Sequence, residues 1–322
     1  MWSYQLVAPY LFERRTVAEY PPESLGDGQV LLQFLAAGIC GSDMPGFRGT
    51  QGRLPADTGA SAAGIVGFPI HEIVGEVTAS RHPDHRQGDR VVGWASGFDG
   101  LREQVIADGN GLAAYDAALA PHFAIGLQPL ACVLYAIEQL PDLTGKRTAV
   151  IGLGSIGLLF GYVAKALGAA HVTGIDPIDR VDIAGLFGID TAVRATSDRW
   201  IRHLDVADRP DIVIEAVGHQ VATLGHAVEA AASGGTVFYF GVPDDDWYPI
   251  SMRTMLRNNL TLKSGVTLER RRVLQDANAF AAEHPELLGN YITHTFGIDD
   301  AQAAFDLASR PTPARVKIAI AA

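Results

Sequence analysis

The sequence is poor in several features that mark particular classes of protein. It contains only two cysteines, Cys40 and Cys132, in 322 residues, and this excludes a disulfide framework as the basis of the fold. It also lacks an excess of positive charge, since 25 basic residues stand against 36 acidic ones, for a formal charge of −11. Such a charge opposes binding to nucleic acid or to anionic membrane surfaces, so we expect neither as a partner.

Long apolar runs are missing as well. No stretch approaches the roughly 20 apolar residues that a membrane-spanning helix needs. The N-terminal segment has no basic region ahead of an apolar core, and Glu13, Arg14 and Arg15 interrupt it too early for a signal peptide. These absences predict a cytoplasmic protein. A hydrophobic content of 48% with 19% charged residues predicts a globular chain, long enough for two domains.

Short β-type runs separated by glycine turns fill the first hundred residues. The clearest lie at residues 29–35, 73–78 and 89–93, and their spacing predicts a small antiparallel barrel or sandwich. Residues 126–140 then have apolar side chains at helical spacing, and Pro141 ends the pattern. We expect this helix to lead from the first domain to the second.

From residue 148 onward, strands and helices alternate. Strands are predicted at residues 148–151, 171–175, 211–217 and 235–240, with a helix after each of the first three, which is the order of a doubly wound parallel sheet. A closing strand at residues 314–320 is expected to return to the first domain. The predicted domains are therefore residues 1-141 with 288-322, and residues 142-287.

A glycine-rich loop follows the first strand of the alternating region. In this loop Gly152 permits a tight turn, Gly154 lets backbone N–H groups approach a pyrophosphate, and Gly157 allows close packing of helix on strand. Ser155 and Ile156 lie between the last two glycines, at the start of the helix. The pattern predicts a binding site for a dinucleotide.

Asp176, at the end of the next strand, points to NAD as that dinucleotide. A carboxylate there accepts hydrogen bonds from the ribose hydroxyls and repels the additional phosphate of NADP. Arg180 has two interpretations: it stacks on the adenine or lies in solvent, or it pairs with a 2′-phosphate. We assign Val217, Gly241 and Val242, which follow two later strands, to the same site, although an ordinary strand-end turn would also explain Gly241 and Val242.

Cys40, His71 and Glu72 provide a thiolate, an imidazole and a carboxylate, which are ligands that suit zinc. Taken singly, the cysteine is as easily a small buried side chain and the histidine a satisfied core residue. A zinc site and a dinucleotide site in one chain together predict zinc-assisted hydride transfer.

These segments in this order resemble the zinc-containing medium-chain dehydrogenase/reductase family. The segments Gly88-Asp89-Arg90-Val91 and Gln128-Pro129-Leu130-Ala131 also fall where that family's motifs fall. The resemblance implies an α/β protein: a GroES-like barrel with one catalytic zinc, a Rossmann domain that binds NAD, and a cleft for an alcohol or ketone. It also implies a homodimer or homotetramer.

The resemblance further implies a role for each residue of the metal site. Cys40 and His71 match the first two zinc ligands of the family, and Glu72 matches a carboxylate that either binds the zinc or lies just behind it. Asp43 matches the acid that orients the histidine ligand. Ser42 matches the hydroxyl that takes the proton of the alcohol, although a serine that caps the following helix is the alternative.

Four departures from the family limit what the resemblance implies. Ile70 stands where relatives usually have glycine before the His-Glu pair. Gln128 stands where polyol-type relatives have glutamate, so either Gln128 contacts a bound water or zinc affinity is weak. Pro45 replaces a histidine that finishes the proton relay in many relatives. No cysteine lies between Val92 and Gln104, so we expect no structural zinc.

The resulting prediction is an NAD- and zinc-dependent dehydrogenase of a secondary alcohol, most like those of polyols, sugars or cyclitols. Two alternatives stay open. One is a zinc-free quinone or enone reductase of the same fold, and the other is a nucleotide-binding protein without catalysis.

Overall fold

The computed structural model describes residues 1–50 and 65–322. These residues form two compact units. The first comprises Met1–Ala131, Glu269–Pro311 and Arg315–Ala322, and the second comprises Cys132–Leu268 and Thr312–Ala314.

Fifteen strands are numbered along this part of the chain. They are β1 (Trp2–Ala8), β2 (Leu11–Thr16), β3 (Gln29–Ile39), β4 (Glu72–Ser80), β5 (Arg90–Trp94), β6 (Gln104–Asp108), β7 (Leu112–Ala114), β8 (Arg147–Ile151), β9 (His171–Asp176), β10 (Thr191–Arg194), β11 (Ile212–Glu215), β12 (Thr236–Tyr239), β13 (Thr261–Ser264), β14 (Ile292–Gly297) and β15 (Lys317–Ala321).

Eleven helices accompany them in the described residues. They are α1 (Met44–Phe47), α2 (Pro121–Ala124), α3 (Leu127–Glu138), α4 (Ser155–Ala166), α5 (Val181–Ala184), α6 (Ser197–Arg202), α7 (Val221–Ala230), α8 (Met252–Arg257), α9 (Arg270–Glu283), α10 (Glu286–Tyr291) and α11 (Ala301–Ala308). None of the helices within residues 1–50 and 65–322 is long and apolar enough to cross a membrane.

The first unit is built on a seven-stranded sheet with the order β14-β15-β3-β4-β5-β7, in which β6 also pairs with β3. All pairs are antiparallel except β14 with β15. Along β3 the core side chains are Val30, Leu32 and Phe34, and beyond an irregularity in the pairing with β4 they are Ala37 and Ile39. Because of this irregularity, Gly38 and Cys40, which alternate with Ala37 and Ile39, point to the face of the sheet away from the core.

The second unit is a six-stranded parallel sheet with the order β10-β9-β8-β11-β12-β13. This is the strand order of a Rossmann fold. The inner strands are buried on both faces, as in Ile212–Glu215, whereas the edge strands β10 and β13 are largely exposed. The chain is therefore an α/β protein with a GroES-like unit and a Rossmann unit.

Some elements differ from the sequence-based expectation. The edge strands β10 and β13 were not expected, because short exposed strands carry no apolar run. Helix α9 lies in the first unit, where it packs against β5 and β7, although the predicted limits put residues 270–287 in the nucleotide domain. The closing strand returns to the first unit, as expected, but begins at Lys317.

Candidate active site

The register of three strands gathers the metal-binding side chains of the first unit. Gly38 of β3 lies directly opposite Glu72 of β4, and Ile39 lies opposite Ile318 of β15. Residues paired across a sheet point to the same face, so Cys40, Glu72 and Lys317 all reach one side of the sheet. The ligand atoms of Cys40, His71 and Glu72 lie within 4.8 Å of one another.

Asp43 holds two of these groups in place. Its Oδ2 accepts a hydrogen bond from the backbone N–H of Cys40 at 2.7 Å, and its Oδ1 lies 2.7 Å from Nδ1 of His71. The Cys40 sulfur in turn accepts from the N–H of Asp43, so the two residues cap the turn reciprocally. Because Asp43 engages Nδ1, the ring is oriented with Nε2 as its remaining nitrogen.

The surroundings of His71 favour a positive charge at this place. Burial alone lowers the pKa of His71, but the Asp43 carboxylate and the Cys40 sulfur outweigh that effect and raise the pKa well above its usual value. The same groups would favour a metal cation in place of the ring proton, since His71 would hold a metal in its neutral form.

Glu72 has a partner that the sequence analysis did not foresee. Its side chain is fully buried, and Nζ of the equally buried Lys317 lies 2.7 Å from Oε1 and 2.5 Å from Oε2. Burial opposes the charge of Lys317, yet Glu72 outweighs it and raises the pKa of the ammonium group. Gly38 makes room for this pair, since a Cβ there would come 2.2 Å from Oε2 of Glu72.

The donor set fits zinc. A thiolate, an imidazole oriented by a carboxylate and a second carboxylate are common zinc ligands, and each Glu72 oxygen has two lone pairs, so its pairing with Lys317 does not use up its acceptor capacity. Gln128 is buried in the first turn of α3, and its part in the metal shell stays a prediction.

Ser42 is partly exposed and lies in the short turn between Cys40 and Asp43. Asp43, not Ser42, occupies the position that precedes α1. The interpretation of Ser42 as the cap of that helix is therefore wrong, and its role in proton transfer stays a prediction.

The glycine loop of the second unit has the geometry that close approach of a phosphate requires. Gly152 has a positive φ of 93°, and a Cβ on Gly157 would lie 1.7 Å from the carbonyl oxygen of Gly152. Nothing lies within 4 Å of a Cβ built on Gly154, which precedes α4 at Ser155 and Ile156. The N-terminus of α4, which is the positive end of its helix dipole, therefore follows a residue with open space beside its backbone.

Asp176 is tied to this loop. Its Oδ2 accepts the N–H of Leu153 and its Oδ1 accepts the N–H of Ile178, both at 2.7 Å. Arg180 is 7% exposed, so the interpretation that it lies in solvent is wrong. Its Nη1 donates to the carbonyl oxygens of Thr312 and Pro313 at 3.0 and 2.6 Å, which commits that nitrogen to the backbone rather than to a phosphate.

The remaining predicted cofactor residues follow β11 and β12 and lie together. The N–H of Val217 donates to Oε1 of Glu215 at 3.2 Å, and the N–H of Gly241 donates to the carbonyl oxygen of Glu215 at 3.1 Å. Val242 accepts from the N–H of His219 at 2.8 Å. These residues lie at the carboxyl ends of the parallel strands, where ligands of such sheets bind.

Sequence reasoning missed two charged residues of these sites, Lys317 and Glu215. Each had a signal in the sequence. Lys317 is a single charge in an apolar strand, and Glu215 directly follows the buried run Ile212–Ile214. A charged side chain within or at the end of a buried strand needs a polar partner. This requirement would have identified both Lys317 and Glu215 as residues of functional interest.

A GroES-like unit with a thiolate, imidazole and carboxylate cluster, joined in one chain to a Rossmann unit with a glycine loop, defines the class of zinc-containing dehydrogenases. Comparison with known families agrees. Residues 26–104 match the alcohol dehydrogenase GroES-like domain, and residues 155–283 match the zinc-binding dehydrogenase domain.

Individual proteins resemble the chain over nearly its whole length. The D-altritol 5-dehydrogenase of Agrobacterium fabrum is 26% identical over 96% of this chain and 97% of its own. The L-threonine 3-dehydrogenase of Bacillus velezensis is 23% identical over 91% of both. The structure of an alcohol dehydrogenase from Thermus sp. ATN1 superposes with a TM-score of 0.83 at 24% identity, covering 100% of this chain and 99% of that one.

The chain therefore belongs to the zinc-containing medium-chain dehydrogenase/reductase family. It is an oxidoreductase of the alcohol dehydrogenase type that uses zinc and a nicotinamide dinucleotide.

Proposed function

We propose that this protein oxidises a secondary hydroxyl of a polyol, sugar or cyclitol to the ketone with NAD, and catalyses the reverse reduction. The observation that carries the proposal is the cluster of Cys40, His71 and Glu72, with Asp43 fixing the first two. The names of relatives support the substrate class, since they include D-altritol 5-dehydrogenase, sorbitol dehydrogenase and D-xylulose reductase.

In the proposed reaction, residues of the first unit bind and deprotonate the alcohol. Cys40, His71 and Glu72 would hold zinc, which when bound supplies a Lewis acid that lowers the pKa of an alcohol hydroxyl. Ser42 takes the hydroxyl proton, and Asp43 keeps His71 in one tautomer and orientation. Pro45 cannot continue a proton relay, so the proton leaves Ser42 by water or by a cofactor hydroxyl.

A turnover assay tests this function. The purified protein, with its zinc content measured, is supplied with NAD and a panel of polyols, sugars and cyclitols, and NADH formation is followed. We expect turnover with at least one member of the panel. A zinc-free protein that reduces quinones or enones would support the first alternative, and NADH binding without any turnover or metal would support the second.

We propose NAD rather than NADP as the cofactor, and Asp176 as the residue that decides it. Replacing Asp176 by asparagine removes the negative charge, and we expect the ratio of kcat/KM for NAD over NADP to fall by roughly ten- to hundredfold, the value of one or two hydrogen bonds to a charged group. Steady-state kinetics with both cofactors measures this ratio.

Asp179→Asn is the matched control. Asp179 lies three residues further on, is 42% exposed and pairs with Arg194, so its replacement should leave the ratio unchanged. A wild-type enzyme that already prefers NADP would contradict the assignment of Asp176.

We propose a homodimer or homotetramer that assembles through the Rossmann unit. In the described part of the chain β13 ends the six-stranded sheet, with β12 on one side only. Large apolar side chains nearby in sequence are mostly exposed: Trp247, Met252, Leu256, Val266 and Leu268. An open edge strand beside exposed apolar groups favours association.

Leu256→Asp tests the assembly, since a carboxylate on this face disfavours burial against a second copy. We expect sedimentation velocity to give an oligomer for the wild type and a smaller species for the variant. Leu186→Asp, at a half-exposed leucine outside this region, should sediment as the wild type does. A wild type that sediments as a monomer contradicts the proposal.

We propose a cytoplasmic location. Both cysteines are free, and Cys40 would serve as a thiolate ligand, which suits a reducing compartment. Cell fractionation with an antibody to the protein checks it.

A further inference from the structure

The Glu215 carboxylate is fully buried at the end of β11, the strand between β8 and β12 in the Rossmann sheet. Among the described residues no lysine, arginine or histidine forms an ion pair with it. A carboxylate in such a place is unfavourable unless other groups meet its charge. Burial of the Glu215 carboxylate therefore lowers the stability of the fold, and a functional role would explain why a carboxylate is present at this position.

The groups that meet this charge are mainly backbone amides. The N–H of Val217 donates to Oε1 at 3.2 Å. Among the described residues Oε2 has no hydrogen-bond donor, and the nearby N–H groups of Gly218 and Gly241 stabilise the negative charge electrostatically. Burial raises the pKa of Glu215, and these N–H groups oppose the rise. Oε2 lies so close to Gly241 that a Cβ there would come within 2.5 Å of it.

These amides belong to two segments, residues 216–220 after β11 and residues 240–244 after β12, which we call the paired loops. They are joined by the bond from the N–H of His219 to the carbonyl oxygen of Val242 at 2.8 Å. His219 also binds Asp244 through its side chain, with Nδ1 2.5 Å from Oδ1. Glu215 thus holds the inner ends of the paired loops, and the His219 contacts hold the outer ends.

The backbone of the first loop is strained. Gly218 and His219 follow one another with positive φ values of 62° and 53°. A residue with a side chain seldom adopts this conformation, and it persists where surrounding contacts enforce it, as at ligand clamps. The paired loops are therefore held in one particular geometry rather than resting in a relaxed turn.

That geometry reaches the nucleotide site directly. A Cβ on Gly152 would lie 3.0 Å from the backbone nitrogen of Val217, so the first loop packs against the glycine loop. The crevice between the carboxyl ends of β8 and β11 is the place where the strand order reverses, and dinucleotides bind there in such sheets.

We propose that Glu215 is a positioning residue for the dinucleotide: its carboxylate binds the amide of Val217 and packs against Gly241, so that the paired loops form one wall of the nucleotide crevice. The inference rests on the proposed function only in that the crevice binds NAD. In this role Glu215 acts only on the nucleotide crevice, so its loss should change cofactor binding alone.

Glu215→Gln tests the role, because the glutamine amide presents N–H groups to the backbone N–H groups of the loops. We expect the Kd for NADH, measured by fluorescence titration, to rise roughly tenfold or more, the value of one hydrogen bond to a charged group. The KM for the alcohol at saturating NAD and the zinc content should stay unchanged. Glu215→Asp, which keeps the carboxylate, should recover part of the affinity.

Asp211→Asn is the matched control at the other end of the same strand, where Oδ2 accepts the N–H of Arg147 at 2.9 Å. It should lower stability and leave NADH affinity unchanged. If Glu215→Gln does not fold, Gly241→Ala replaces it, since the added methyl would come 2.3 Å from the nitrogen of Gly218 and push the loops apart.

Two results would overturn the inference while leaving the proposed function intact. One is wild-type NADH affinity in Glu215→Gln, or in Gly241→Ala if Glu215→Gln does not fold; the other is an equal loss of affinity in Asp211→Asn. A wild-type protein that binds no NADH would overturn the proposed function itself, and the role of Glu215 with it.

Discussion

Replacing Lys317 by methionine is expected to lower the free energy of unfolding by about 3–5 kcal/mol, because it leaves the Glu72 carboxylate buried without its counter-charge. The pair is fully enclosed, with side-chain exposures of 1% and 0% for Lys317 and Glu72. Methionine has a similar length, so the change removes the charge and keeps most of the packing volume. Urea unfolding at 25 °C, with zinc and with a chelator, measures the loss.

Two further variants separate charge from packing. Lys165→Met makes the same substitution in an exposed pair, where Nζ lies 2.9 Å from Asp190, and should cost less than about 1 kcal/mol. Glu72→Gln combined with Lys317→Met removes both charges and should regain most of the stability lost in the single variant. If Lys317→Met were as mild as Lys165→Met, the buried pair would not contribute as described.

Replacing Cys40 by alanine should have the largest effect on activity. A zinc shell that loses its thiolate loses most of its affinity, so we expect the metal content to fall from about one zinc to under about one tenth per chain. Without the Lewis acid, kcat/KM should fall by about a thousandfold or more, since the metal supplies several kcal/mol. Elemental analysis and steady-state kinetics on the same preparation measure both.

Cys132→Ala is the control for this experiment, because it removes the other cysteine and leaves the cluster untouched. It should keep both zinc and activity. Should chelator-free wild-type protein contain no zinc, or should Cys40→Ala retain it, the assignment of Cys40 as a ligand would be wrong.

The Rossmann unit was the part of the fold most fully predictable from sequence. Its inner strands are continuous apolar runs, and the glycines at 152, 154 and 157 have local steric reasons that a sequence exposes directly. The edge strands β10 and β13 escaped prediction because their exposed residues, such as Thr191 and Lys263, follow no apolar pattern.

The sequence predicted the metal ligands but only some of the hydrogen bonds and ion pairs that hold these ligands in place. The resemblance assigned Asp43 to His71, and the structure shows Asp43 binding the backbone of Cys40 as well. The sequence marks Lys317 as a charge that needs a partner but does not identify Glu72 as that partner, since 245 residues separate the two and only the register of β15 on β3 brings them together. Arg180 was misjudged because its acceptors, Thr312 and Pro313, are distant in the chain.

The position of β15 has a consequence for how the molecule is made. This strand lies between β14 and β3 in the sheet, although it is formed by residues 317–321. During synthesis the segments of the Rossmann unit up to residue 268 emerge earlier, so that unit can fold while the sheet of the first unit still lacks an inner strand. Until β15 inserts, Glu72 has no ammonium partner and the metal ligands lack their final support. Stable zinc binding would then occur late in biogenesis, after β15 has joined the sheet.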